Sequence, residues 1–155
     1  MKIKEITALG LVVAIYVAIS LILAPISYGA IQFRIAELFM ILPFYNKKFT
    51  ISLTLGCFIV NLFSPLGVAD IIFGTLSTVV ACLIISRVKR IWTVPVISAA
   101  IIGIFVGAEL YFVLGLPFWF SVATVALGEL VSVFIGVGAF QLLLKNEQIK
   151  SFIIS

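Results

Sequence analysis

Apolar runs fill almost the whole sequence, and this decides most of what the chain can fold into. They read Ile6 to Ala24, Ile35 to Phe44, Phe49 to Leu62, Val68 to Ser86, Thr93 to Leu114 and Phe118 to Leu144, punctuated by Pro25, Gly29, Asn46, Pro65, Gly67, Pro95 and Pro117. The first, fourth, fifth and sixth runs approach or exceed the ~20 residues an α-helix needs to cross a bilayer. A soluble core has no room for so much apolar chain: 64% of the 155 residues are hydrophobic and 10% charged, against roughly 45–50% and about 25% in a soluble domain. The bilayer is the natural solvent. No polar segment is long enough for a second domain or a linker, so residues 1–155 are expected to form one all-α bundle of six transmembrane helices. The second and third runs are short for a full span, and the alternative pairs them as one re-entrant hairpin. Lys2 and Lys4 ahead of the first run resemble a signal peptide, but the run exceeds the roughly 7–15 apolar residues of such a signal and reads as a retained first helix.

Charge orients the bundle, because cytoplasmic loops carry the excess of Lys and Arg. With six crossings and both termini cytoplasmic, Lys2, Lys4, Lys47, Lys48, Arg87, Lys89, Arg90, Lys145 and Lys150 share the inner side, nine of the ten basic residues. Only Arg34 falls outside. The net charge of +4 is therefore topological and not a nucleic-acid stripe.

Several function classes drop out. There is no His, which removes Ser-His-Asp and Cys-His catalysis and the usual catalytic zinc sites. No Gly-rich loop ends in Lys and Ser or Thr, so the chain holds no P-loop. Cys57 and Cys82 lie within apolar runs without metal-site spacing and read as packing residues.

With this topology the polar residues gather on the outer side. Gln32, Arg34 and Glu37 start the second helix, Asn61 ends the third, Asp70 begins the fourth, Glu109 nears the outer end of the fifth, and Glu129 sits deeper in the sixth. Ionised groups in a membrane cost ~2.5–3.5 kcal/mol or more, so they normally face a partner or a cavity. Each also has a structural reading: Arg34 and Glu37 pairing with each other, Asp70 capping a helix, Asn61 closing one, Gln32 lying in an exposed loop. Glu109 and Glu129 have no cation nearby in sequence. Aromatics accompany the acids, with Tyr28 and Phe33 near the first outer loop and Tyr111, Phe118, Trp119 and Phe120 near the last. They suit an interfacial belt, or a platform for a flat ligand. In the first helix Gly10, Ala14 and Ala18 form a small-residue stripe that fits either internal packing or a partner's helix.

The strings YGAIQFRIAE at 28–37, NLFSPLGVADIIFG at 61–74, AEL at 108–110, LPFW at 116–119 and ALGE at 126–129 resemble the QueT family of queuosine-precursor transporters. These are substrate-binding S components of energy-coupling factor (ECF) importers. The resemblance covers essentially the whole chain. It implies a six-helix S-component fold with an outer ligand site and docking on a transmembrane coupling subunit through Ala14 and Ala18. It also implies two partner ATPase subunits that use ATP, and no cofactor in this chain. The implied solute is an aminomethyl-deazaguanine or related base, contacted by residues among Gln32, Phe33, Arg34, Glu37, Asn61, Asp70, Glu109, Trp119 and Glu129. Its adjacent N–H donors suit a carboxylate and its ring suits Trp119 or Phe33. The competing readings are an S component for another vitamin-like solute, a proton-coupled carrier or channel, and a membrane enzyme with paired carboxylates. No polar path reaches the inner face, and no metal-ligand spacing supports an enzyme.

Overall fold

The structure is a computed structural model that describes residues 3–27 and 34–154. Tyr28, Gln32 and Phe33, expected near the ligand, lie outside the described residues. The described chain is helical throughout, without strands. α1 (Ile3–Ile22) leads into the single turn α2 (Ala24–Ser27). A 3₁₀ stretch (Ile35–Ile41) continues directly as α3 (Leu42–Tyr45), and α4 (Phe49–Asn61) and α5 (Val68–Ile85) follow. A 3₁₀ turn (Ile91–Thr93) opens α6 (Val94–Leu114), before α7 (Phe118–Leu143) and α8 (Glu147–Ile154).

The boundaries follow the punctuation. Gly115 ends α6 in the left-handed conformation, φ 67°, where the Leu116 N–H reaches back to the Leu110 carbonyl at 3.4 Å. Pro117 then starts α7. Gly67, φ 62°, precedes α5, and Pro95 sits in the first turn of α6, where its missing N–H is harmless.

Among the described residues four helices are long and apolar enough to cross a membrane: α1, α5, α6 with its leading turn, and α7. The two shorter segments nevertheless run from one end of the bundle to the other. Arg34 meets Asp70, the first turn of α5, whereas Asn46 meets Ile153 of α8, and Lys48 at the start of α4 meets Glu5 of α1 at 2.8 Å. α4 then returns to the Asp70 end, with Asn61 beside Asp70. Successive segments therefore alternate in direction, and Lys47, Lys48, Arg87, Lys89 and Arg90 gather at the end away from Asp70.

The stretch from Ile35 to Tyr45 is the centre of the bundle. It fills the gap between α1 and α7 and touches α4, α5, α6 and α8 as well. Met40, Ile41 and Leu42 have no exposed surface. A 3₁₀ helix rises ~2.0 Å per residue against 1.5 Å in an α-helix, which lengthens a segment otherwise short for its task. Its weaker backbone bonds are tolerated because protein, not lipid, surrounds it. Glycines set the closest packing: a Cβ at Gly103 would lie 2.8 Å from Ala126 Cβ, one at Gly107 2.9 Å from Val122 Cα, and one at Gly136 would collide with the Leu38 carbonyl oxygen. α8, an amphipathic helix absent from the expected elements, tucks Ile153 inward, and Asn46 Nδ2 donates to the Ile153 carbonyl at 3.2 Å.

Candidate functional site

At the Asp70 end, side chains from six segments converge on one buried polar cluster. Arg34 stands just ahead of the 3₁₀ stretch, and its Nη2 donates to Asp70 Oδ1 at 3.2 Å. Its side chain is 14% exposed and that of Asp70 fully covered. Glu37, one 3₁₀ turn further on, takes a different partner: the Tyr16 hydroxyl of α1 donates to its Oε1 at 2.7 Å. Arg34 and Glu37 stay within electrostatic reach of each other, but the ion pair joins Arg34 to Asp70. Asp70 does not cap α5, because one carboxylate oxygen holds Arg34 and the other has no hydrogen-bond partner among the described residues.

Asn61, the last residue of α4, ties that helix to α5. Its Nδ2 donates to the Asp70 carbonyl at 2.9 Å and to Cys57 Sγ at 3.3 Å. The space for this exists because position 74 is glycine: a Cβ there would lie 2.7 Å from Asn61 Nδ2 and 3.0 Å from Asp70 Oδ1. Cys57 is more than filler, since Thr78 Oγ1 also donates to its sulfur, at 3.2 Å. Glu109, near the end of α6, is fully buried within electrostatic reach of Asp70 and Arg34. Glu129 lies eleven residues into α7, ~16 Å along its axis, where Ser98 Oγ donates to its Oε1. It also feels Glu37 and Arg34.

The cluster thus holds four carboxyl groups and one guanidinium. Its acceptors are under-used. Glu37 Oε2, Asn61 Oδ1, Asp70 Oδ2 and both oxygens of Glu109 are buried without a hydrogen-bond partner among the described residues. Buried acceptors are normally satisfied, and leaving one unpaired costs ~1–3 kcal/mol or more for a charged group. Such a set can receive donors.

Trp119 is not brought to this cluster. It is 77% exposed at the start of α7, edge-on at 5.0 Å to Phe118, which in turn meets Tyr111 edge-on at 6.1 Å, as an interfacial belt requires. The stripe on α1 is also clear. Gly10, Ala14 and Ala18 all face outward, and a Cβ added at Gly10 would meet nothing within 4 Å. Internal packing does not account for them. Among residues to which the sequence reading gave no part in the site, Tyr16, Gly74 and Ser98, and Cys57, read there as a packing residue, shape the cluster. Only a lone tyrosine hydroxyl inside an apolar helix hinted at any of them.

Comparison with known proteins agrees with this architecture. The family model described as QueT transporter matches residues 6–145. The chain is 38% identical over 151 aligned residues to the queuosine precursor transporter QueT of Lactococcus lactis subsp. cremoris (strain MG1363), covering 87% of this chain and 89% of that protein. No solved structure matches it. A membrane-built helical bundle with a buried acceptor cluster, matched by one family model along nearly its full length, places the chain among transporters and not enzymes: it belongs to the QueT transporter family.

Proposed function

We propose that this protein is the membrane-embedded substrate-binding subunit of an ECF-type importer for a queuosine precursor, an aminomethyl-deazaguanine or closely related base. The observation that carries the reading is the set of unpartnered acceptor oxygens on Glu37, Asn61, Asp70 and Glu109. A guanine-like edge offers adjacent N–H donors and the aminomethyl group offers a cation. Both are matched by carboxylates, which bind donors more strongly than neutral acceptors do. The name of the Lactococcus relative supports the same solute. Glu109 takes the donor edge in this scheme, because both its oxygens are unpartnered whereas Glu129 already accepts from Ser98. Arg34 and Asp70 fix the rim, Glu37 or Asp70 receives the ammonium, and Gln32 and Phe33 are further ligand contacts of the scheme.

The six segments cross the cytoplasmic membrane with both termini inside, so that the cluster opens outward. The end-to-end run of Ile35–Tyr45 and Phe49–Asn61 supports this over a re-entrant hairpin. The outward-facing Ala14 and Ala18 dock on a transmembrane coupling subunit, and two ATPase subunits supply the energy. This chain itself carries no P-loop.

The test is thermal stabilisation of the detergent-solubilised protein across a panel of purine-like bases and vitamins. Binding stabilises by mass action, so the aminomethyl-deazaguanine is expected to raise the melting temperature at the lowest concentration. Stabilisation by an unrelated vitamin alone overturns the substrate.

A further inference from the structure

On the perimeter of the bundle α4 and α5 leave a seam between them, which runs from Thr75, whose hydroxyl accepts from Asn61 Nδ2 at 3.4 Å, toward the basic end. One part is an apolar groove of about 460 Å³ walled by Ile51, Thr54, Leu55, Phe58 and Val79. The adjoining part, about 510 Å³, is walled by Lys47, Thr50, Leu83, Ser86 and Arg87. Thr50 and Ile51 line both, so the two parts form one channel along the helices. From Thr75 to Arg87 it follows α5 for twelve residues, ~18 Å at 1.5 Å each, a little more than half of the ~30 Å hydrocarbon core. That is the depth of one leaflet.

The seam is polarised. Its deep part is apolar, and its mouth carries two exposed cations and no carboxylate. Arg87 Nη1 donates to the Leu83 carbonyl at 2.9 Å, which holds the guanidinium at the end of α5 without neutralising it. Lys48 is paired with Glu5, but no carboxylate pairs with Lys47 or Arg87 among the described residues. Where the two parts join, Thr50 Oγ1 is buried without a hydrogen-bond partner among the described residues.

We infer that this seam binds one anionic phospholipid, with its phosphate between Lys47 and Arg87 and one acyl chain along Ile51, Leu55, Phe58 and Val79. The charge at the mouth decides between occupants. Basic residues beside an apolar cleft at headgroup level fit an anionic lipid, whereas a neutral lipid or an apolar partner helix has no use for the paired cations.

Native mass spectrometry of the protein in a maltoside detergent tests this, with phosphatidylglycerol and phosphatidylcholine of identical chains at equal concentration. The wild-type protein is expected to retain phosphatidylglycerol roughly tenfold or more over phosphatidylcholine, given two basic contacts, and to lose that preference as salt rises. Free glycerol phosphate should not compete, since the acyl groove anchors the lipid. Lys47→Gln with Arg87→Gln should bring phosphatidylglycerol down to the phosphatidylcholine level, and Thr54→Phe should reduce retention of both by filling the groove. Stabilisation of these variants by the purine-like base, whose cluster lies at the other end, reports that they fold. Equal retention of the two lipids by the wild type overturns the inference with no variant needed. So does a preference that survives both substitutions, or one abolished by free glycerol phosphate.

Discussion

Glu109 offers two buried oxygens that no protein donor reaches, its carboxyl lying within hydrogen-bond reach of the Asp70 carboxyl, so a change there should be read by the ligand before it is read by the fold. Glu109→Gln is expected to weaken binding of the purine-like base by ~1.5–3 kcal/mol, the worth of a hydrogen bond to a charged group, while melting temperature holds or rises. Calorimetric titration and thermal melts on the same preparation check both. Asp70→Asn should behave in the opposite way. It strips a buried guanidinium of its counter-charge, and breaking such a pair costs ~3–5 kcal/mol, so the loss should appear as a large fall in denaturation midpoint even without ligand. At this scale the sequence identified the acids, Asn61 and Arg34 as a group, because intramembrane polarity is conspicuous. It did not reveal their pairing. Arg34 looks toward Glu37, three residues on, yet its ion pair lies thirty-six residues away, and Glu37 turns to Tyr16, twenty-one residues back. Pairings of that separation are set by how helices pack, and no local pattern carries them.

Helix contacts depend on a few positions where the backbone of one element approaches another. Gly103 and Gly107 of α6 lie against Ala126 and Val122 of α7, the most extensive helix pair in the bundle. Gly107→Leu should wedge them apart and destabilise the protein by several kcal/mol, beyond the ~1–3 kcal/mol typical of overpacking, since the Val122 backbone as well as its side chain is in the way. A melting curve in detergent decides. The exposed stripe on α1 predicts a different phenotype. Ala14→Trp or Ala18→Trp should abolish cellular uptake and leave base binding by the isolated subunit unchanged, because these positions face outward. Loss of binding in both variants returns the stripe to a structural role. Element boundaries were legible to within one residue for α4 to α7 and to within three for α1, since Pro and Gly mark them physically. The 3₁₀ form of Ile35–Ile41 was not legible, because it answers to the length of the surrounding bundle. α8 was missed because its apolar face is only a few residues wide.

For the molecule as a whole, the basic residues define one end and the carboxyl cluster the other. Single cysteines at Lys47, Lys89 and Arg90 are expected to react with an impermeant thiol reagent only when it is supplied from the cytoplasm. Labelling of the Lys89 and Arg90 positions from outside reverses the protein and turns the cluster inward. The central placement of Ile35–Tyr45 bears on how such a protein tolerates change. Around the perimeter, lipid is an undemanding neighbour, and any side chain of similar apolarity satisfies it. Met40, Ile41 and Leu42 meet only protein, where a methylene too many or too few leaves strain or a void. In a saturation scan scored by growth on the imported base, exposed positions such as Leu55, Ile72 and Ile104 should interchange freely among Leu, Ile, Val and Phe. Met40 to Leu42, which hydropathy alone marks as ordinary, should accept almost none. Substitution tolerance would then trace the boundary between lipid and protein contact more sharply than hydrophobicity does.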